Sequence, residues 1–414
     1  MRASHALRDQ AQRHDAWQAL RLQRLLPALM DETGIDCWIV ACREYAEDPV
    51  LASLVPAQWL SARRRTVLVL ARTPDGVSGH AVGRYAVGSF AAAWDGRVDA
   101  AGSISGGQAA ALARVVEALA PRRIGIDVSR TFAHADGLSV TDHAWVTGAL
   151  SGSDAELVDA EPLAVAWLQV RLPEELEAAV EANHLAHEVI AEAFSRKVIS
   201  PGVTTCDDVA WWIRQRFSDL SVPSWFQPTV DAQRRGMPDI GQQQPILRGD
   251  LLHCDVGLTT AGLCTDTQQL AYVLPDGEAV APHGLHRAMA VGNHAQDVLT
   301  GELLPGRTGN QVLAAARAQL TAEGIDVLIY SHPVGRHGHG AGPSIGLWDM
   351  QDGVPGSGEA VVRTGTLWAL ELGVRVDLPE WDGQQLYVGL EQGIALKDGG
   401  VTYLDARQTT PHLL

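Results

Sequence analysis

Residues 253 to 266 read HCDVGLTTAGLCTD and hold two aspartates, Asp255 and Asp266, each in an apolar, strand-like setting. GDLLHCDVGL (249–258) and LCTDTQQLAYV (263–273) carry strand patterns, and TTAG (259–262) between them reads as a turn. A turn centred between Thr260 and Ala261 puts Asp255 and Asp266 directly opposite each other, with side chains roughly 5 Å apart on one face. Two bare carboxylates at that separation repel, and one pKa rises strongly. A cation between them removes the difficulty. The plainer alternative is that each carboxylate hydrogen-bonds to a neighbouring loop.

Further along the chain are more groups of the same kind. GRHGHGAGPSIG (335–346) is a glycine- and histidine-rich loop whose backbone can approach a ligand closely. His339, set between glycines, is the foremost imidazole candidate there, and His337 is next. GTLWALELGVRV (365–376) and QLYVGLEQGIAL (385–396) place Glu371 and Glu391 inside apolar strand patterns, where an unpaired acid is costly. Four carboxylates and one imidazole make a hard, oxygen-rich donor set. Such a set suits Mn²⁺ or Co²⁺, admits Zn²⁺, and is large enough for two ions sharing bridging carboxylates. Paired ions about 3.5–4 Å apart can hold a hydroxide between them while polarising a carbonyl.

These side chains need a sizeable scaffold, and 414 residues suffice for two domains. DAWQALRLQRLLPALMDETG (15–34) and QAAALARVVEALAPRR (108–123) have helical periods, while DCWIVAC, RTVLVLAR and IGIDV read as strands. Helices alternating with buried strands predict an α/β N-terminal domain over 1–170. Pro173 then opens a long amphipathic helix with acids in its first turn, so the second domain is expected over 171–414. VISPGVTTCDDVAWWIRQRF (198–217) resembles ELLPGRTGNQVLAAARAQL (302–320): each has Pro-Gly, then a threonine able to cap a helix, then the helix. The repeat predicts two similar halves with a site at their junction.

Composition narrows the function. A net charge of -17 argues against a nucleic-acid surface, and the cluster Arg63-Arg64-Arg65 is read as flanking the strand that follows it. The five cysteines have no CxxC spacing and fit reduced thiols of a cytoplasmic protein. The polar N-terminus lacks a signal-peptide apolar core, and no run of about 18 apolar residues could span a membrane.

At this point the sequence resembles the pita-bread metallopeptidases of the creatinase, aminopeptidase P and prolidase family, Xaa-Pro dipeptidase-like branch, over nearly the whole chain. Asp255, Asp266, the GHG histidine His339, Glu371 and Glu391 stand in the family's order. The resemblance implies a creatinase/prolidase-type α/β N-terminal domain and an α+β pita-bread catalytic domain with pseudo-twofold halves. It further implies that Asp255 holds one metal, His339 and Glu371 the other, and that Asp266 and Glu391 bridge. A bridging hydroxide would attack the carbonyl preceding proline, with Glu371 as general base. Two divalent ions, Mn²⁺ foremost, a homodimer and a proline-containing di- or oligopeptide substrate are implied as well.

Two features depart from the family pattern. No histidine occurs in QPTVDAQRRGMPDIGQQQPILRGD (227–250), where most members carry one about twenty residues before the first aspartate. The histidine expected seven residues after the GHG histidine is Gly346. Tyr387, four residues before Glu391 and on its face of the strand, is the expected substitute as oxyanion donor. His332 and His337 are candidates for orienting substrate, and Arg336 or Arg375 for a substrate carboxylate. His253 is expected behind the site, Cys254 in the core, and Cys264 on the face of Asp266. Prolidase activity stands ahead of aminopeptidase P activity, and a catalytically impaired binding scaffold is the alternative of a different class.

Overall fold

The computed structural model describes residues 6–414 and divides into two compact units, Arg8–Leu168 and Gln169–Leu414. The first five residues of the polar N-terminal segment lie outside the described residues.

The first unit is built on a six-stranded sheet. Its strands are β1 (Cys37–Arg43), β2 (Arg65–Thr73), β3 (Gly76–Ala81), β4 (Ala91–Ala92), β5 (Arg123–Ile126) and β6 (Glu156–Asp159), in the order β4-β3-β2-β1-β5-β6. The apolar runs CWIVAC and TVLVLA are buried throughout, as strands covered on both faces should be. Arg63 to Arg65 run up to and into the start of β2, so the basic cluster does flank a strand. The helix expected over 15–34 is interrupted. Leu7–Leu20 is α-helical, Arg21–Leu25 forms a π turn, and a second α-helix, Leu26–Thr33, has Pro27 in its first turn. Proline cannot donate the intrahelical bond, and the wider turn accommodates that gap.

The second unit carries a nine-stranded sheet with a two-stranded hairpin beside it. Its strands are β7 (Thr229–Gln233), β8 (Leu251–Val256), β9 (Thr259–Thr260), β10 (Leu263–Cys264), β11 (Thr267–Tyr272), β12 (Asp326–Ile329), β13 (His332–Val334), β14 (Leu367–Leu378), β15 (Gln384–Lys397), β16 (Gly400–Tyr403) and β17 (His412–Leu413). The main path β12-β14-β15-β11-β8-β7 is symmetric about its centre. Each half reads helix, helix and three strands: Pro173–Ala193 and Cys206–Asp219 precede β7, β8 and β11, while His283–Glu302 and Gly309–Ala322 precede β12, β14 and β15. Each half also has its own apolar core. The Pro-Gly repeat marks this symmetry with a one-residue slip. Thr308 caps the second-half helix, but its counterpart in the first half is Thr205, not Thr204. Both caps close a reciprocal box with the residue three positions on.

In the first unit, a buried pair of carboxyls stands apart from any site argument. Trp38 Nε1 donates to Asp127 Oδ1 at 2.7 Å, and the Val50 amide donates to Asp48 Oδ1 at 2.9 Å. The second oxygens of Asp48 and Asp127 find no donor. A proton on one carboxyl, donated to the other, resolves this. Burial pushes Asp48 up to about 6, and burial with the charge of Asp48 raises Asp127 further. Both folded values lie above the unfolded ones. The pair therefore contributes full stability below about pH 4 and loses it as pH rises through 6. Thermal melts of the first unit followed by tryptophan fluorescence should show about 1–3 kcal/mol more stability at pH 5 than at pH 7.5. Asp127→Asn, which supplies the missing donor permanently, should flatten that difference, and an unchanged pH dependence in the variant would refute the shared proton.

Candidate metal centre

The acidic side chains meet because of strand register. Glu371 in β14 pairs directly with Glu391 in β15. Glu391 pairs across the junction of the halves with Gln268 in β11, and Gln268 pairs with Asp255 in β8. One transverse row thus runs Asp255, Gln268, Glu391, Glu371, with side chains alternating to a common face. Asp266 joins the row from just outside the end of β11.

The hairpin that brings Asp255 and Asp266 together differs from the expected one. The β9–β10 pairing sets Thr260 against Leu263, so the turn is centred between Ala261 and Gly262, and Asp255 lies opposite Gln268, not Asp266. Both central residues have positive φ, 49° at Ala261 and 83° at Gly262. This is the twist a tight hairpin demands, and Gly262 supplies it at no steric cost. Asp266 is displaced along the chain from its expected partner, yet it remains on the same side as Asp255. Carboxylate oxygens of Asp255, Asp266 and Glu391 all lie within 4.8 Å of one another.

Two histidines complete the cluster. Ligand atoms of Asp266, His332 and His339 lie within 4.8 Å of one another, and so do those of His332, Glu371 and Glu391. His332 Nε2 lies 3.6 Å from Asp266 Oδ2 and 4.0 Å from Glu371 Oε2. Its Nδ1 lies 3.0 Å from the Pro333 carbonyl oxygen, which can only accept, so Nδ1 carries the proton. Nε2 then presents a bare lone pair to two carboxylates, and it has no hydrogen-bond partner. Burial pushes the His332 imidazole down to about 4, which keeps it neutral. His339 stacks edge-on against His332 with ring centroids 4.8 Å apart, but its outer side is exposed. The Trp225 ring holds the other side of His339 at 5.2 Å.

The electrostatics are unfavourable without a cation. Burial, and the charge of Asp231, push Asp255 up to about 6, with His253 acting in the opposite direction. Burial and Asp255 push Glu371 up to about 8. Asp266 and Glu391 are raised well above the usual carboxylate range by burial and by their acidic neighbours. Asp255 Oδ1 and both Glu391 carboxylate oxygens find no donor. Buried oxygens without donors, converging on one another and on a bare imidazole lone pair, fit divalent metal ions.

The sequence belongs where this chemistry points. Residues 177–402 match the sequence model of metallopeptidase family M24. The chain is an M24 metallopeptidase family member. No curated protein matches it. Among solved structures, the X-Pro aminopeptidase of Thermotoga maritima MSB8 is similar at 15% identity, covering 94% of this chain and 100% of its own, with a TM-score of 0.66. The Xaa-Pro dipeptidase of Bacillus anthracis is similar at 17% identity, covering 99% and 100%, with a TM-score of 0.64. The N-terminal domain of the FACT complex subunit SPT16 from chickpea, Cicer arietinum, is similar at 13% identity over 98% of both chains, with a TM-score of 0.56. These likenesses establish the creatinase/prolidase-type fold with its pita-bread unit.

Around this cluster in the M24 chain, other expected residues are spread more widely. Tyr387 lies over Gly373, where a Cβ would stand 2.2 Å from its hydroxyl, and that hydroxyl bonds the Tyr330 hydroxyl at 2.8 Å. The Tyr330 amide in turn donates to the Glu371 backbone carbonyl at 3.2 Å, so Tyr330 links Tyr387 to the strand that carries that carboxylate. Arg375 pairs with Asp326 at 3.6 Å and stands 5.9 Å from the Tyr387 ring. Arg336 and His337 are half-buried, and neither joins the metal-type groups found among the described residues. His253 bonds Asp231 at 2.9 Å and Gln268 at 2.9 Å, behind the row. Cys254 is buried in the core, and Cys264 packs with Val334 and Ala369. Tyr330 and Gln268, which donates to Glu371, escaped the sequence reading. The correct hairpin register would have exposed Gln268, since it lies between two of the acids.

Crowded acids make a two-sided expectation. Without divalent ions at pH 8, Glu391→Gln should melt higher than wild type by about 1–3 kcal/mol, because it removes a buried like charge. With Mn²⁺ at a hundredfold its Kd, wild type should gain about 2.7 kcal/mol and the variant little. A variant less stable in both conditions would contradict this account of the centre.

Proposed function

We propose that the chain is a dinuclear metal-dependent peptidase hydrolysing Xaa-Pro bonds, with Xaa-Pro dipeptides as first substrate and longer Xaa-Pro peptides as the second reading. Asp255, Asp266, Glu371, Glu391 and an imidazole hold two divalent ions, Mn²⁺ foremost, in a cytoplasmic homodimer. The observation that carries the reading is the convergence of donorless buried carboxylate oxygens on the bare lone pair of His332. The Xaa-Pro dipeptidase and X-Pro aminopeptidase among the similar structures support the substrate class.

His332, rather than His339, is assigned as the imidazole ligand. It is the buried one, its tautomer is fixed by Pro333, and it reaches both Asp266 and Glu371. His339 then stands seven residues after the ligand histidine, which fills the family spacing that a His339 ligand leaves to Gly346. Bound ions would supply the Lewis acidity that activates water and polarises the scissile carbonyl. Glu371, oriented by Gln268, holds the proton that must pass to the leaving nitrogen. His339, open on its outer side, donates towards the carbonyl oxygen. Tyr387 steadies Tyr330. Arg375, or Arg336 and His337 on the loop, take the substrate's carboxylate.

Proline release from Ala-Pro, measured beside cleavage of Ala-Pro-Gly in Mn²⁺, tests the activity. Release from the dipeptide alone supports the prolidase reading, cleavage of the tripeptide alone moves it to aminopeptidase P, and inactivity on both with two ions bound overturns it. His332→Ala should lose bound metal, whereas His339→Ala should keep it and lower kcat about 10²-fold. The reverse pattern would return the ligand role to His339. Tyr387→Phe should lower kcat with metal content unchanged, and the double variant with Tyr330→Phe should lose no more than Tyr330→Phe alone.

A further inference from the structure

The first unit contains a cavity of about 700 Å³ that has no part in the peptidase reading. Its wall carries five arginines, Arg43, Arg63, Arg64, Arg65 and Arg84, against one acid, Glu44. Two of the five are spoken for: Asp142 pairs with Arg43 at 2.9 Å and Arg65 at 3.4 Å, which fixes both guanidiniums in the wall. Arg63, Arg64 and Arg84 form no ion pair with any described residue. In a chain of net charge -17, three uncompensated arginines around one hollow are a concentrated exception.

The cavity also has flat apolar surfaces. Arg63 lies over the Trp59 ring at 5.5 Å, and Arg84 lies over the Trp94 ring at 5.5 Å. Tyr85, at the rim, is 75% exposed. The first turn of the helix Ile104–Leu119 borders the hollow through Ile104 and Ser105, adding the positive end of a helix dipole. Arg64 is held in the left-handed region, φ 52°, by a bond from the Glu44 amide to its carbonyl at 2.8 Å. That conformation is costly for a residue with a Cβ, and here it belongs to a residue on the cavity wall.

The geometry points to a mononucleotide site, in which the guanidiniums of Arg63, Arg64 and Arg84 with the helix terminus bind the phosphates and the exposed Tyr85 ring receives the base. Arginine suits phosphate because its planar fork donates in pairs, and its stacking on tryptophan leaves those donors free at the edge. The volume falls in the range of small-ligand pockets, and the uncompensated charge matches a di- or triphosphate. An extended acidic peptide would use the arginines but not the Tyr85 ring.

Calorimetric titration of the full-length protein in Mg²⁺ tests this, with ATP, GTP, CTP and UTP as probes beside tripolyphosphate, adenosine and deca-glutamate. At least one nucleoside triphosphate should bind at one site per chain, at least tenfold tighter than tripolyphosphate or adenosine. Arg64→Ala and Arg84→Ala should each weaken it tenfold or more, with melting temperature unchanged, while Glu391→Gln should bind as wild type. Binding that survives both arginine substitutions, or that Glu391→Gln removes, would place the ligand elsewhere and overturn the assignment. Tripolyphosphate binding as tightly as any nucleotide, tighter binding of deca-glutamate, or no binding by any of the four nucleotides would overturn it equally.

Discussion

Mutual repulsion among Asp255, Asp266, Glu371 and Glu391 is the constraint on which the second unit turns. Backbone pairing fixes their spacing before any side chain can adjust, because Glu371 opposes Glu391 in a twelve-pair antiparallel ladder. The ladder continues across Gln268 to Asp255, so separating the acids means breaking strands. Burying several carboxylates together costs several kcal/mol per ion unless they are protonated or bridged by a cation. Core packing in the two halves opposes that cost: helices His283–Glu302 and Gly309–Ala322 cover one, Pro173–Ala193 and Cys206–Asp219 the other. Rigidity supplied by the cores thus holds a polar arrangement that the acids alone would relax.

The location of the row follows from the symmetry. Each half contributes one strand to the junction, β11 or β15, and those two strands pair at Gln268 and Glu391 where the halves meet. Each half therefore delivers its acids to the same seam, Asp255 and Asp266 from one, Glu371 and Glu391 from the other. A single half would carry two carboxylates at a sheet edge, exposed to water and only weakly coupled. Joining the halves removes the water and makes the four groups one electrostatic unit.

Much of this was readable from residue types, because an acid inside an apolar strand pattern contradicts the pattern and so draws notice. Asp255, Glu371 and Glu391 are of that kind. What the pattern could not supply was register. Ala261 is an unlikely residue for positive φ, so the turn was centred one residue early and Asp266 was set opposite Asp255. The two-residue slip in pairing preserved the face, since side chains alternate, and hid Gln268. The repeat helices were legible from Pro-Gly and threonine, but the slip between Thr204 and Thr205 could be seen only in the caps themselves. Tyr330 gave no signal. Its amide bonds the Glu371 carbonyl and its hydroxyl meets Tyr387 because β12 ends just before it, a boundary that propensity does not mark.

The two histidines of the cluster differ in how the fold presents them. Glycine on both sides made His339 conspicuous, while His332 looked like an ordinary residue before proline. In the fold the proline is the reason His332 is well placed. Pro333 cannot donate a ladder bond, and its carbonyl oxygen accepts from both the Gly340 amide at 2.7 Å and Nδ1–H of the preceding imidazole at 3.0 Å. The chain then leaves β13 through Gly335 to Gly338 and returns His339 to face His332 edge-on. Strand geometry buries the first imidazole and loop geometry leaves the second open, so one is suited to an ion among carboxylates and the other to a substrate arriving from solvent.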